Sequence, residues 1–252
     1  MIAVLSPAKS LDFETPTESA HATEPRFSEE AGTLAHAAAK LTAPKLSSLM
    51  RISDKLAKLN VQRFRGFDTQ PERAALFAFA GDVYRGFEAK TLDEPAIAFA
   101  QEHVRILSGL YGLLRPLDAI RPYRLEMGTR WAPGRTRTLY DFWQGRIADA
   151  LTGDVVREGS GTVLNLASQE YWAAVSGKLP QSVRVIEVDF REMRDGEAKF
   201  VSFHAKRARG MMARWMCEHH VTDIEAMKGF DSDGYRFDAD ESDADHWRFV
   251  RG

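Results

Sequence analysis

The chain has 252 residues, 44% hydrophobic and 28% charged, with a formal net charge of -2. That is ordinary globular composition with enough length for one sizeable core, which excludes a fibrous or disordered chain and a bulk polycation. Cys217 is the one cysteine, so an internal disulfide framework is excluded and a cytoplasmic location is expected.

Met1-Ile2-Ala3-Val4-Leu5 lacks the basic start and long apolar core of a signal peptide, and the longest apolar runs are too short to cross a bilayer. No membrane partner is expected. Ile2–Leu5 reads as a short buried strand ending at Ser6-Pro7-Ala8-Lys9. Residues 14–28, rich in Pro, Thr, Ser and Glu, read as an extended loop, and helical patterning follows from Glu29 to Lys40. Thr42 caps a short helix with Pro44 in its first turn, and Ser53 caps another, giving a helical cluster over 43–63. Ala74–Ala80 is a short apolar run before Gly81-Asp82-Val83-Tyr84.

Thr91-Leu92-Asp93-Glu94 has capping-box spacing, so a helix is expected from there to His103, followed by a buried strand over Val104–Leu110. Phe142–Leu151 has helical patterning. Thr162–Ala167 reads as a strand feeding Ser168 and a helix over Glu170–Val175. Val183–Met193 and Ala198–His204 alternate at period two, with Arg194-Asp195-Gly196-Glu197 as the hairpin turn, and a helix follows over Ala205–His219. Residues 231–252 hold seven acids against three arginines and read as an acidic, solvated C-terminal segment. Buried strands separated by helices, with a late hairpin, predict a single α/β domain over residues 1–252 built on a mixed sheet surrounded by helices.

Polar residues recur just beyond the predicted strands: Ser6 and Lys9, Tyr111 and Arg115, Asn165 and Ser168, then His204, Lys206 and Arg209. Ligands of α/β sheets bind beyond the carboxyl ends of the strands, so these residues are expected to converge on one basic, anion-binding cleft. Lys206 and Arg209 fall near the start of a predicted helix, where cations oppose the helix dipole unless an anion joins them. Gly210 and Ala213 continue their face and would let a ligand approach closely. The competing reading pairs Lys206 and Arg209 with Asp12, Asp82, Asp118 or Glu126 as structural partners.

The run Leu107–Asp118 with Arg121–Gly128 adds Tyr123 and Arg124 to the cleft, Tyr111 and Tyr171 joining Tyr123 as surfaces on which bases could stack. Ser168 reads first as a helix cap. Ser6-Pro7-Ala8-Lys9 matches the S-x-x-K spacing of β-lactamases by chance, because Pro7 argues for a loop and the companion motifs are missing. None of the seven histidines has metal-ligand spacing, and Cys217 sits in a core-like helix pattern, so no metal and no cofactor are expected.

Ser6–Lys9 with Leu11-Asp12, Leu49–Ala57, Gly81–Tyr84, Leu107–Arg115, Tyr123–Gly128, Asn165–Tyr171 and Lys206–Gly210 resemble, in this order, the YaaA peroxide-stress family, also called UPF0246 or DUF328. The resemblance runs from Met1 to about Phe237. It implies a cytoplasmic protein of the hydrogen-peroxide response that lowers free iron and binds DNA through a basic cleft and a helix-hairpin-helix-like element, here 42–63. It implies no established catalytic activity. Ala57-Lys58-Leu59-Asn60 lacks the glycines with which such hairpins reach phosphate, a departure from the pattern. Missing ligand clusters make any effect on iron indirect.

Two functions are therefore expected from the sequence. The first is DNA binding, to duplex or distorted forms, with Lys9, Arg115, Arg124, Lys206 and Arg209 neutralising phosphate. The second is an enzyme acting on a small phosphorylated or carboxylated molecule, because DNA binding has no need of Asp12, Asp118 and Glu126 in the same cleft. A purely structural charge network is the third reading.

Overall fold

The computed structural model describes residues 1–15 and 22–252, so residues 16–21 of the predicted 14–28 loop lie outside the described residues. Strand β1 is Ile2–Leu5, buried along its whole length. Helix α1 spans Ser28–Ala38, α2 Ala43–Met50 and α3 Asp54–Arg65. Pro44 stands in the first turn of α2, and the Ser53 hydroxyl accepts from Leu56 N–H to cap α3. The two helices are joined by Arg51-Ile52-Ser53, with Arg51 left-handed at φ 52°. Ala57–Asn60, where hairpin glycines were looked for, lies inside α3 and is not the connection.

Strand β2 is Arg73–Ala74, followed by α4 (Ala75–Ala78), α5 (Asp82–Phe87) and α6 (Glu94–His103). The capping-box reading at Thr91 is corrected: Asp93 caps α6, its carboxylate accepting from Ala96 N–H at 2.9 Å. The expected strand over Val104–Leu110 is shorter. It ends as β3 at Ser108 and folds back as β4 (Gly112–Leu114). The Ser108 hydroxyl accepts from Leu110 and Tyr111 N–H groups, closing that turn.

Strand β5 is Ala119–Ile120 and pairs with β2. The expected Phe142–Leu151 helix is two helices, α7 (Leu139–Trp143) and α8 (Arg146–Glu158), broken at Gln144 with φ 47°. Thr138 and Asp141 form a reciprocal capping box at the start of α7.

Strand β6 (Thr162–Leu166) leads to the short α9 (Gln169–Trp172), which ends before the predicted Val175. Strand β7 (Arg184–Arg194) turns at Asp195-Gly196, both left-handed, into β8 (Glu197–Lys199). That two-residue turn is what an Asp-Gly pair favours. The predicted strand over Ala198–His204 stops at Lys199, and helix α10 begins at Ser202 and runs to Glu218. Strand β9 is Arg236–Asp238 and β10 is His246–Arg251.

The main sheet has the order β4-β3-β1-β6-β7-β10-β9, with β8 added beside β7. Strands β3, β1, β6, β7 and β10 are mutually parallel, whereas β4, β8 and β9 are antiparallel additions. The fold is thus a mixed α/β domain. Six of the seven acids of the C-terminal segment are exposed, as expected, but the segment also supplies β9 and β10 to the sheet, which was not expected. Trp247 and Phe249 of β10 are buried; Phe249 packs with Phe190 and Phe230, and Trp247 with Phe237. His246–Arg251 alternates at period two, but the acidic residues before it dominate the composition.

Helix α10 crosses α5 at two glycines. A Cβ on Gly210 would stand 1.8 Å from the Val83 carbonyl oxygen, and one on Gly86 would stand 2.1 Å from that of Arg207. The small-residue face of α10 therefore receives the backbone of α5 and not a ligand. Among the described residues no helix is long and apolar enough to cross a membrane.

Candidate functional site

A cavity of about 1160 Å³ lies over the carboxyl ends of β1 and β6 and along the middle of β7. Ser6 and Lys9 follow β1, Asn165 and Ser168 end β6, and Lys206 and Arg209 descend from α10, and all six line this cavity. Parallel strands in register bring them together: Leu5 pairs with Leu166, and Asn165 with Glu187.

The local hydrogen bonds fix the floor. The Asn165 side chain donates to Glu187 Oε2 at 2.6 Å and accepts from Ala167 N–H at 3.0 Å. Ser168 does not cap its helix as expected. It occupies the position before α9, yet its side chain makes no cap bond; its N–H donates to Ser6 Oγ at 2.8 Å and its Oγ faces Ser6 Oγ at 3.3 Å.

Lys206 and Arg209 stand in the second and third turns of α10, because the helix begins at Ser202. The helix dipole therefore does not single them out, since its effect fades within the first turn. They also do not pair with the expected acids. Asp12 holds Lys90 at 3.0 Å and Arg73 at 3.6 Å, Asp118 holds Arg115, Glu126 holds Arg124, and Asp82 lies beside Arg85. Burial pulls Arg209 below the ordinary arginine value, with Asp189 and Glu187 acting in the opposite sense.

A family model described as peroxide stress protein YaaA matches residues 1–241. The chain belongs to the YaaA peroxide-stress family. It is 64% identical to a UPF0246 protein of Rhizorhabdus wittichii over 251 residues, covering 100% of this chain and 99% of that one. It is 49% identical to a UPF0246 protein of Phenylobacterium zucineum (100% and 95% covered) and 48% identical to one of Burkholderia mallei (100% and 98% covered).

Several residues read from the sequence as part of this YaaA-family cleft stand elsewhere. Strand β4 runs antiparallel and carries Arg115 back toward the other end of the sheet. There it pairs with the buried Asp118 at 3.0 Å and donates to the Glu24 carbonyl. Asp118 also accepts from the Thr23 hydroxyl at 2.6 Å, so the pair clamps the chain around residue 23. Tyr111 and Tyr123 are core residues packed edge to face, with ring centroids 5.5 Å apart, so neither offers a face to a base. The Tyr123 hydroxyl meets Ser108 Oγ at 2.6 Å, and burial raises its pKa above the ordinary tyrosine value. Tyr171 lines the cavity.

Arg124 bonds Glu126 at 2.9 Å, and Glu126 reaches Lys9 at 3.6 Å, linking this pair to the cavity rim. Asp12 lines a second, smaller cavity beside α5.

The wall that sequence reading missed is β7. Glu187, Asp189 and Arg191 alternate with buried Ile186, Val188 and Phe190. The period-two pattern was visible, and its polar face is the cavity wall. The cavity is not purely basic: Lys9, Arg85, Arg191, Lys206, Arg209 and Arg248 share it with five carboxylates, among them Glu187 and Asp189. Among the described residues no group of three His, Cys, Asp or Glu side chains converges to hold a metal ion.

Proposed function

We propose that this YaaA-family protein protects DNA during peroxide stress by binding it through the basic face of α2 and α3. The observation that carries this reading is the charge there. Lys45, Arg51, Lys55, Lys58, Arg63 and Arg65 face one acid, Asp54, over residues 43–65. Among the described residues none of the six has a carboxylate within 4.0 Å, although most other arginines of the chain do. Five of the six are exposed. An unneutralised basic face is what a phosphate backbone requires, and counterion release drives its binding. The two helices joined by three residues are compatible with a helix-hairpin-helix element.

The cavity is less suited to a polyanion, because its carboxylates repel phosphate. On this reading a lowering of free iron is an indirect consequence of the stress response, checked by comparing chelatable iron in cells with and without the protein. Binding to duplex and bubble DNA across a salt series tests the main proposal. The log of affinity should fall linearly with the log of salt. Lys55→Ala with Lys58→Ala should reduce the slope by roughly 0.9 for each phosphate that is no longer neutralised. Absence of binding to either DNA at low salt would sink the proposal.

A further inference from the structure

The cavity holds both signs of charge in fixed positions. Four arginines bury a nitrogen that has no hydrogen bond: Arg73, Arg121, Arg209 and Arg248. Three nevertheless pair with a carboxylate: Arg73 with Asp12, Arg121 with Glu72 and Arg248 with Glu241. Arg209 pairs with none among the described residues. Its Nε is shielded from solvent without a partner, and its side chain lines the cavity. Lys206, one helical turn away and exposed, also has no ion pair among the described residues.

The backbone that carries these cations is held in place. The crossing at Gly86 and Gly210 sets the α10 backbone against α5 with no room for a Cβ. A guanidinium fork and an ammonium beside it suit a phosphate, the fork giving direction and the ammonium a point charge.

Acceptors stand on β7. Asn165 holds Glu187 through Oε2, which leaves Oε1 without a protein donor among the described residues. Asp189 accepts from Arg191 through Oδ2 at 2.5 Å, leaving Oδ1 able to accept from a ligand. The Ser168 hydroxyl lies beside them on the floor. Carboxylates set against a cationic pair reject a bare polyanion and accept a ligand whose remainder donates hydrogen bonds.

We propose that this cavity is a binding site for a small phosphorylated metabolite bearing hydroxyl groups, of the sugar-phosphate or nucleoside-monophosphate class. The phosphate lies on Arg209 and Lys206, and the hydroxyls donate to Glu187 and Asp189. A volume of about 1160 Å³ accommodates a ligand of that size. This site is separate from the DNA-binding face of α2 and α3.

Titration calorimetry at low salt with adenosine 5'-monophosphate, ribose 5-phosphate and inorganic phosphate tests it. At least one of the two organic phosphates should bind saturably, at least tenfold more tightly than inorganic phosphate; binding of the nucleotide alone would assign the base a part in recognition. Arg209→Ala and the surface change Lys206→Ala should each weaken binding about tenfold, and Glu187→Gln should erase most of the preference over inorganic phosphate. Lys206→Ala keeps the test open should Arg209→Ala fail to fold. Lys55→Ala with Lys58→Ala should weaken DNA binding and leave these affinities unchanged, so either reading can fail alone. No binding of either organic phosphate, equal binding of inorganic phosphate, or unaltered affinity in Arg209→Ala and Lys206→Ala would overturn the proposal.

Discussion

Replacing Arg209 by methionine should leave the fold as stable as before, or stabilise it by up to about 2 kcal/mol. A buried polar group with no partner costs roughly 1–3 kcal/mol. Nε is the one guanidinium nitrogen fully shielded without a partner, so the lower half of that range applies. Methionine keeps most of the apolar stem that packs in the wall. Arg105 provides the contrast. It is 3% exposed and bonds the fully buried Asp154 at 2.6 Å, and it also donates to the Gln101 and Val104 carbonyls.

Arg105→Met deprives that carboxylate of its closest buried partner. Breaking a buried pair costs roughly 3–5 kcal/mol. Arg26 at 2.6 Å and Arg157 at 3.1 Å remain on Asp154, so about 3 kcal/mol is expected. Urea unfolding reads both. With a slope of about 3 kcal/mol per molar, Arg105→Met moves the midpoint down by about 1 M and Arg209→Met leaves it in place or raises it. A comparable drop for Arg209→Met would show that Arg209 is structural and that the cavity holds no guanidinium free for a ligand.

Burial of Asp154 raises its pKa, but the bonds from Arg26 and Arg105 outweigh burial and hold it below the ordinary carboxylate value. Its contribution to stability is therefore present at neutral pH and is lost as pH falls through the ordinary carboxylate range toward the folded value, so Asp154→Asn should flatten the acid limb of a urea-midpoint profile. Gly210→Ala should abolish soluble expression or cost at least about 3 kcal/mol, because its Cβ would meet the Val83 carbonyl at 1.8 Å. The Cys217 thiol is fully buried and burial pushes its pKa up to about 12, so a thiol reagent at pH 8 should label it only after unfolding; rapid labelling of the native protein would contradict this.

Local signals were legible wherever neighbours within one turn decide the outcome. The cap at Ser53, Pro44, the Asp195-Gly196 turn and the alternation of β7 all act over a few residues. The ends of the parallel neighbours β1 and β6 could also be read, which is why Lys9, Asn165 and Ser168 meet in one cavity, where Lys206 and Arg209 join them from α10. Family membership was legible too, from ordered motifs along the chain.

Strand direction and distant pairing were not legible. Whether the chain after Ser108 left the sheet or folded back depended on a hairpin closed by the Ser108 hydroxyl, and the reversal carried Arg115, with its neighbour Asp118, away from the cavity. Whether His246–Arg251 joined the sheet depended on β7 offering a free edge 59 residues upstream, which pairs Trp247 with Val188. By itself the sequence determined strands β1, β6 and β7, the main helices and the family. The tertiary structure alone decided which charges are left for a ligand: Asp82, Asp118 and Glu126 find arginines within three residues, whereas the lack of a partner for Arg209 among the described residues depends on distances across the fold.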